Sequence, residues 1–135
     1  MWTYEQRTGR LLHDGVLVGT GYSGHSEGKN NPAMQDQHNI GPIPQGVYTV
    51  TGAFTHPRKG PVCMRLLPKP GTQTFGRAGF LIHGDSIQFA GEASEGCIIQ
   101  ARAARDQVAQ SPDKELTVVE SAPGPELKPG QGPLT

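Results

Sequence analysis

The sequence predicts a mainly β fold with one α-helix, and three observations lead to this class. Glycine and proline are abundant, with 19 Gly and 12 Pro among 135 residues, and both residue types are costly in the interior of a helix. Short runs rich in β-branched and aromatic residues alternate with turn residues along the chain. A single stretch near the C-terminal end has the alanine content and the apolar spacing of an amphipathic helix.

The predicted strands begin at the N-terminus with two hairpins. Thr8-Gly9 and Asp14-Gly15 each lie between short strand-like runs, a pattern typical of tight turns between antiparallel strands. Residues 19–46 have almost no periodic pattern, and a segment of that length in a compact domain is usually functional or disordered. Strands are predicted over residues 4–7, 10–13, 16–18, 47–51, 62–67, 80–83 and 116–119.

The helix is predicted over residues 98–110, where several alanines favour it and Ser111-Pro112 ends it. It therefore begins directly after Cys97. Residues 1–122 then form one domain, since the chain is too short for two. Residues 123–135 are mostly Gly and Pro with almost nothing apolar to bury, and we predict a flexible tail there.

Charge and hydropathy exclude several classes of protein. Twelve basic residues balance twelve acidic ones, for a net charge of zero, whereas binders of nucleic acids and anionic membranes depend on many Lys and Arg contacts. No apolar run is long enough to span a bilayer. The first residues lack the basic and apolar segments of a signal peptide. We therefore expect a protein that stays in the cytoplasm or is exported by a machine that accepts folded cargo.

The strongest candidate for chemistry is Cys97. A cysteine nucleophile reacts as its thiolate, and a nearby histidine can hold the proton. At the start of the predicted helix, unpaired N–H groups and the helix dipole favour the thiolate. His83 ends a predicted strand and is the candidate base, with Asp85 or the carbonyl oxygen of Gly84 fixing its tautomer. Gly96 lets the backbone approach a substrate, and N–H groups beside it can bind an oxyanion.

Two other residues near the candidate site have more than one interpretation. Ser94 is either a helix cap or part of the site wall. Cys63 lies in an apolar strand without a neighbouring glycine or helix start, so it is the weaker nucleophile, and a disulfide between Cys63 and Cys97 stays open.

All five histidines precede Cys97. An order in which the nucleophile comes before its histidine, as in papain-like peptidases, cannot be built with Cys97.

Two segments, Ile82-His83-Gly84-Asp85 and Ser94-Glu95-Gly96-Cys97, together resemble the active-site signature of L,D-transpeptidases. That signature has an upstream His and then a Ser/Thr-His-Gly-Cys block. More narrowly, the chain is similar to the L,D-transpeptidase-like effectors that bacterial type VI secretion systems deliver. The features that carry this similarity run from about residue 2 to 120, and they also include residues 21–24, 29–32 and 41–48.

The resemblance implies an L,D-transpeptidase-like β-sandwich or barrel with one helix following the catalytic Cys97. It implies an enzyme without a cofactor that attacks the bond before the terminal D-Ala of a peptidoglycan tetrapeptide stem. A Cys97 acyl-enzyme then gives either hydrolysis, as an L,D-carboxypeptidase, or exchange for a D-amino acid. The resemblance further implies type VI delivery without a signal peptide, action in the periplasm of the target bacterium, and a cognate immunity protein. We expect a monomer.

The sequence departs from the broad transpeptidase pattern at two positions. Glu95 stands where the block has its second His, and Ile99 stands where the broad family often has Asn or Arg. Arg102 and Arg105, about one turn further along the predicted helix, are candidates for a substitute carboxylate anchor. The alternative for both arginines is a solvated helix face.

Two other functions compete with this interpretation. A zinc-dependent peptidoglycan amidase could use His38, His83 and Cys97 as ligands and leave one position open for water, although no His-x-His spacing supports it. A non-catalytic cell-wall-binding module would need none of these residues for chemistry. Replacing Cys97 with alanine separates the module from both enzymes.

Overall fold

The computed structural model describes residues 1–121, and the mainly β class with one α-helix is confirmed. The predicted tail over residues 123–135 lies outside the described residues. The strands are β1 (Trp2–Glu5), β2 (Arg10–His13), β3 (Val16–Thr20), β4 (Tyr22–Ser23), β5 (Gly46–Val50), β6 (Phe54–His56), β7 (Gly60–Pro68), β8 (Leu81–His83), β9 (Ile98–Ile99) and β10 (Glu115–Val119), and the helix is α1 (Arg102–Gln110). No helix in this part of the chain is both long and apolar enough to cross a bilayer.

The strands form one nearly closed, barrel-shaped sheet. Its order is β3-β2-β1-β10-β5-β7-β8-β9-β4, with β6 paired to β7 off this path. The β1–β10 and β8–β9 pairs are parallel, and the other pairs are antiparallel. The two ends of the order, β3 and β4, are joined through Gly21. A Cβ on Gly21 would lie 1.7 Å from the carbonyl oxygen of Ile99, so this close approach requires glycine.

The interior of the barrel holds one hydrophobic core to which most of the strands and the helix contribute. Its largest fully buried side chains include Trp2, Tyr4, Tyr48, Met64 and Leu116. Ala104 and Val108 of α1 pack against the same cluster, four residues apart and therefore on one helix face. The helix thus covers one side of the barrel.

The helix begins at Arg102, so the prediction that it begins directly after Cys97 is wrong. Ile98 and Ile99 instead form β9, which pairs with β8 on one side and β4 on the other. Both isoleucines are buried, and their β-branched side chains suit a strand between two neighbours. Cys97 therefore precedes a strand, and the helix-dipole argument for its thiolate does not apply.

Candidate active site

Two neighbouring parallel strands bring Cys97 and His83 to the same cavity. The register pairs Ile82 with Ile98 and His83 with Ile99. Cys97 stands one position before β9, and because side chains alternate along strands, it lies on the same face of the sheet as His83. Both residues line a cavity of about 230 Å³. Ile82 and Ile98, on the opposite face, are fully buried in the core.

The imidazole of His83 is held in a single tautomer. Its Nδ1 lies 2.7 Å from the carbonyl oxygen of Gly84, and because a carbonyl only accepts, Nδ1 carries the proton and donates. Nε2 is then unprotonated. This buried atom has no hydrogen-bond partner within residues 1–121. The lone pair of Nε2 is therefore unpaired, as a general base requires. The Cys97 Sγ does not bond to it in this conformation and lies 3.9 Å from the carbonyl oxygen of Gly79.

The cysteine and the histidine form a neutral pair at rest. Burial lowers the pKa of His83 to about 4, although the hydrogen bond to Gly84 opposes this change. Burial raises the pKa of the Cys97 thiol, against a smaller lowering by the Leu81 backbone N–H and the charge of Lys59. At neutral pH the site holds a thiol and a neutral imidazole. The two groups therefore do not form a thiolate–imidazolium ion pair at rest.

Ser94 fixes the backbone of the loop that leads to Cys97. Its fully buried hydroxyl accepts hydrogen bonds from the N–H groups of Gly24 at 2.8 Å and Gly96 at 3.1 Å, and it donates to the carbonyl oxygen of Cys97 at 2.6 Å. Ser94 is therefore not a helix cap. Because the N–H of Gly96 is already bonded to Ser94, it does not serve as an oxyanion donor in this conformation.

Position 96 requires a glycine because the Arg77 side chain packs against it. Its φ is +132°, and a Cβ there would lie 2.4 Å from Nη2 of Arg77. The glycine thus makes room for a buried guanidinium, whereas the sequence suggested close approach by a substrate. Arg77 is 6% exposed, and sequence reasoning missed it.

Asp85 contacts its own loop and a tyrosine. Its carboxylate accepts hydrogen bonds from the Tyr22 hydroxyl at 2.6 Å and from the backbone N–H groups of Ser86 and Gly91. These contacts, the largest being the Tyr22 hydrogen bond, lower the pKa of Asp85 against the effect of its partial burial. The tautomer of His83 is set by the Gly84 carbonyl and not by this carboxylate.

The two candidate arginines lie away from the Cys97 cavity. Arg102 pairs with Asp106 on the exposed face of α1. Arg105 donates to the carbonyl oxygens of Gln100, Pro61 and Val62, and it lines a separate cavity on the other side of the His83 loop. Neither arginine is placed to anchor a carboxylate beside Cys97.

Arg105 and Gly84 pack closely behind the His83 loop. A Cβ on Gly84 would lie 2.7 Å from Nη2 of Arg105, so a side chain at this position would displace either the guanidinium or the carbonyl that orients His83. Gly84 therefore acts on the site through its backbone.

A larger cavity of about 880 Å³ continues from the first. Four residues line both cavities: Lys59, His83, Ala93 and Glu95. The larger cavity carries positive side chains from Arg58 and Lys59 and negative ones that include Asp85, Glu92 and Glu95. Such walls suit a peptide with both carboxylate and amine groups more than an apolar ligand.

His25 is a second site residue that the sequence did not reveal. It is half-buried, its Nδ1 lies 2.8 Å from the carbonyl oxygen of Ser94, and it lines the larger cavity. It comes from the long segment before β5, which the chain folds against the loop that carries Ser94.

The ligands of the alternative zinc site do not converge. Nε2 of His38 lies 3.0 Å from the carbonyl oxygen of Phe75 on the exposed surface. Among residues 1–121, the three-residue set with ligand atoms within 4.8 Å of one another is His13, Asp14 and Asp113, which does not include Cys97. Cys63 and Cys97 are both free thiols, so no disulfide blocks the nucleophile.

The fold and the site together define a small, mainly β domain with a cysteine and a histidine on the wall of one cleft. Residues 18–120 match the Tlde1 domain. Because this match covers most of the chain, the chain belongs to the Tlde1 family of type VI secretion effector domains. No curated protein matches the chain. Membership in this effector family implies a peptidoglycan substrate and an immunity partner.

Proposed function

We propose that the chain is a cysteine L,D-carboxypeptidase or L,D-transpeptidase that acts on peptidoglycan stem peptides in the periplasm of a target bacterium. One observation carries this proposal. Cys97 and His83 line the same cavity, and Nε2 of His83 has an unpaired lone pair that can accept the thiol proton once the sulfur turns from the Gly79 carbonyl toward it. Family membership supports the setting, because type VI effector domains enter target cells.

The chemistry follows from this pair. Nε2 of His83 accepts the proton of Cys97, and the sulfur attacks the carbonyl carbon of the diamino acid that precedes the terminal D-Ala. The tetrahedral intermediate collapses as the imidazolium returns its proton to the leaving D-Ala amine. A thioester to Cys97 remains. Water, deprotonated by Nε2, then releases the tripeptide, or the amine of a free D-amino acid attacks instead and gives exchange.

The charged walls of the cavities suit the tetrapeptide stem. Its terminal D-Ala carries a carboxylate, and Lys59 lines both cavities beside His83. An ammonium there attracts the carboxylate and draws the scissile bond toward Cys97. Glu95 also lines both cavities and can bind the free amine of the diamino acid. The L,D specificity is proposed from the resemblance of the two active-site segments, and the charged walls support a peptide that carries both a carboxylate and an amine.

A muropeptide assay tests the proposed activity. The wild-type chain should convert tetrapeptide stems to tripeptides, or to stems ending in another D-amino acid when one is supplied. Cys97→Ala should abolish conversion, and His83→Gln should lower it by about 100-fold or more. Cys63→Ala is the matched control, because Cys63 is a free thiol outside the cavity. Full conversion by Cys97→Ala would refute the proposal.

The same variants separate the enzyme from a cell-wall-binding module. When the chain is directed to the periplasm of a sensitive bacterium, the wild type and Cys63→Ala should arrest growth and Cys97→Ala should not. A toxic effect that survives Cys97→Ala would favour the module.

A further inference from the structure

A buried guanidinium lies directly behind the loop that carries Cys97. Arg77 is 6% exposed and does not belong to the lining of either cavity described above. Its Nη2 presses against Gly96, where a Cβ would approach to 2.4 Å. Gly96 immediately precedes Cys97, so the guanidinium stands one residue from the nucleophile, on the protein side of the cavity wall.

Arg77 joins two segments that are distant in sequence. Its guanidinium donates to the carbonyl oxygens of Gln35 at 2.5 Å, Pro42 at 2.8 Å, Gly41 at 2.9 Å and Glu95 at 3.2 Å. The first three lie within residues 35–42 of the segment before β5, and the last belongs to the loop before Cys97. The side chain thus ties the loop before Cys97 to this segment.

The charge of Arg77 is not matched by a carboxylate. All four acceptors are neutral carbonyls, and none of the ion pairs within residues 1–121 includes this side chain. The face of the Phe80 ring lies 5.6 Å from the guanidinium carbon and adds a weak attraction. A buried cation without a counterion is costly, so an anion that forms close to it is stabilised by its charge.

The proposed chemistry forms an anion, the Cys97 sulfur, one residue along the chain from the contact between Arg77 and Gly96. The ionisable groups whose charges act on Arg77 are Tyr48, Asp36 and Cys97. Asp36 is exposed and well screened by water, and burial raises the pKa of Tyr48, which therefore stays neutral. Cys97 becomes negative when His83 takes its proton.

We propose that Arg77 is a positioning residue of the site, one that clamps the loop before Cys97 and whose fixed positive charge favours the sulfur anion formed during attack. This inference rests on the proposed function, because it takes Cys97 as the nucleophile. It adds a residue that acts through Cys97 without contacting the substrate.

Several other groups also influence the ionisation of the Cys97 thiol. Lys59 in the turn between β6 and β7, Glu95 in its own loop and Cys63 in β7 act on it through their charges. His83 of β8 and His56 of β6 line the same cavity. All of these side chains are present in every variant of Arg77, so a comparison of Arg77→Met with Arg77→Lys isolates the charge.

The test is the pH dependence of Cys97 alkylation by iodoacetamide in the full chain, followed by peptide mass spectrometry to separate Cys97 from Cys63. Arg77→Met keeps an unbranched stem and removes the charge. We expect it to react about tenfold more slowly than the wild type near pH 7, and to approach the wild-type rate at high pH, because an adjacent opposite charge typically shifts a pKa by about one unit or more. Arg77→Lys keeps the charge and should restore most of the rate near pH 7.

Two results would overturn the inference. One is an unchanged pH profile in Arg77→Met, and the other is an equal slowing at every pH, which would mean that the arginine only shapes access to the sulfur. If circular dichroism shows that Arg77→Met does not fold, Arg77→Lys decides. Its alkylation midpoint should stay within about 0.5 pH unit of the wild type, and a rise of about one unit would refute the role of the charge. The muropeptide assay tests the nucleophile separately.

Discussion

The hydroxyl of Ser94 donates a hydrogen bond to the backbone carbonyl of Cys97 at 2.6 Å. The same oxygen accepts the N–H groups of Gly24 and Gly96. One buried side chain thus closes a tight loop around the peptide that carries the nucleophile and ties it to the segment after β4. The position of the sulfur depends on this loop and not on a helix.

Ser94→Ala should destabilise the protein and impair the site together. It leaves two buried N–H groups and one carbonyl without their partner, so we expect a loss of about 3 kcal/mol in the free energy of unfolding, measured by urea titration. Conversion of tetrapeptide should fall because Cys97 is displaced. Thr55→Ala, on an exposed position of β6, is the control and should change stability by less than about 0.5 kcal/mol. An equally small change in Ser94→Ala would contradict the structural role.

The stability of the protein should depend on His83 in acid. The pKa of His83 is lowered to about 4 in the folded chain from 6.5, so below pH 6.5 the unfolded chain takes up a proton that the folded chain refuses. Acid therefore favours unfolding until the folded histidine also titrates. Between about pH 6.5 and pH 4 this group should remove up to about 3 kcal/mol of stability.

His83→Gln isolates that contribution from the carboxylates, which also lose stability in acid. Chemical denaturation of both proteins across this pH range should show the wild type losing more stability than the variant. Parallel curves for the two proteins would mean that His83 is not buried as a neutral base.

Asp85→Asn should have a modest effect on catalysis. Because the carboxylate binds Tyr22 and its own loop, the substitution should loosen the wall of the larger cavity and lower kcat/KM by less than about tenfold, mostly through KM. The pH dependence of kcat should be unchanged. Asp106→Asn, on the exposed face of α1, serves as the control. A loss in Asp85→Asn as large as that of His83→Gln would show that Asp85 orients the base after all.

Local patterns in the sequence predicted much of the barrel. The hairpin between β2 and β3 follows from Asp14-Gly15, whose positive φ values of 49° and 83° suit those two residues. Cys97 and His83 are predicted as site residues from local features. Each has a glycine beside it, His83 ends a predicted strand, and the histidine precedes the cysteine along the chain. These signals depend on neighbours in sequence.

The features that the sequence did not reveal depend on partners far along the chain. β9 has only two residues, and it is a strand because it pairs with β4 on one side and β8 on the other. Its sequence alone did not predict this strand, because the alanine-rich segment that follows favours a helix. In the sequence, nothing distinguishes Arg77 from a surface arginine. Its guanidinium is buried by contacts with residues 35–42, which are distant along the chain. The neutral state of the Cys97 thiol likewise results from burial by distant segments, which no local pattern reports.

The central claim is that Cys97 forms a covalent bond with the stem peptide, and intact-protein mass spectrometry after brief incubation with a tetrapeptide muropeptide tests it most directly. The account predicts that the wild type gains the mass of the stem without its terminal D-Ala, that Cys63→Ala gains the same mass, and that Cys97→Ala gains none. The slowed His83→Gln variant should accumulate less of the adduct. An adduct that persists in Cys97→Ala, or product formation with no adduct on Cys97 in any rapidly quenched sample, would contradict the account.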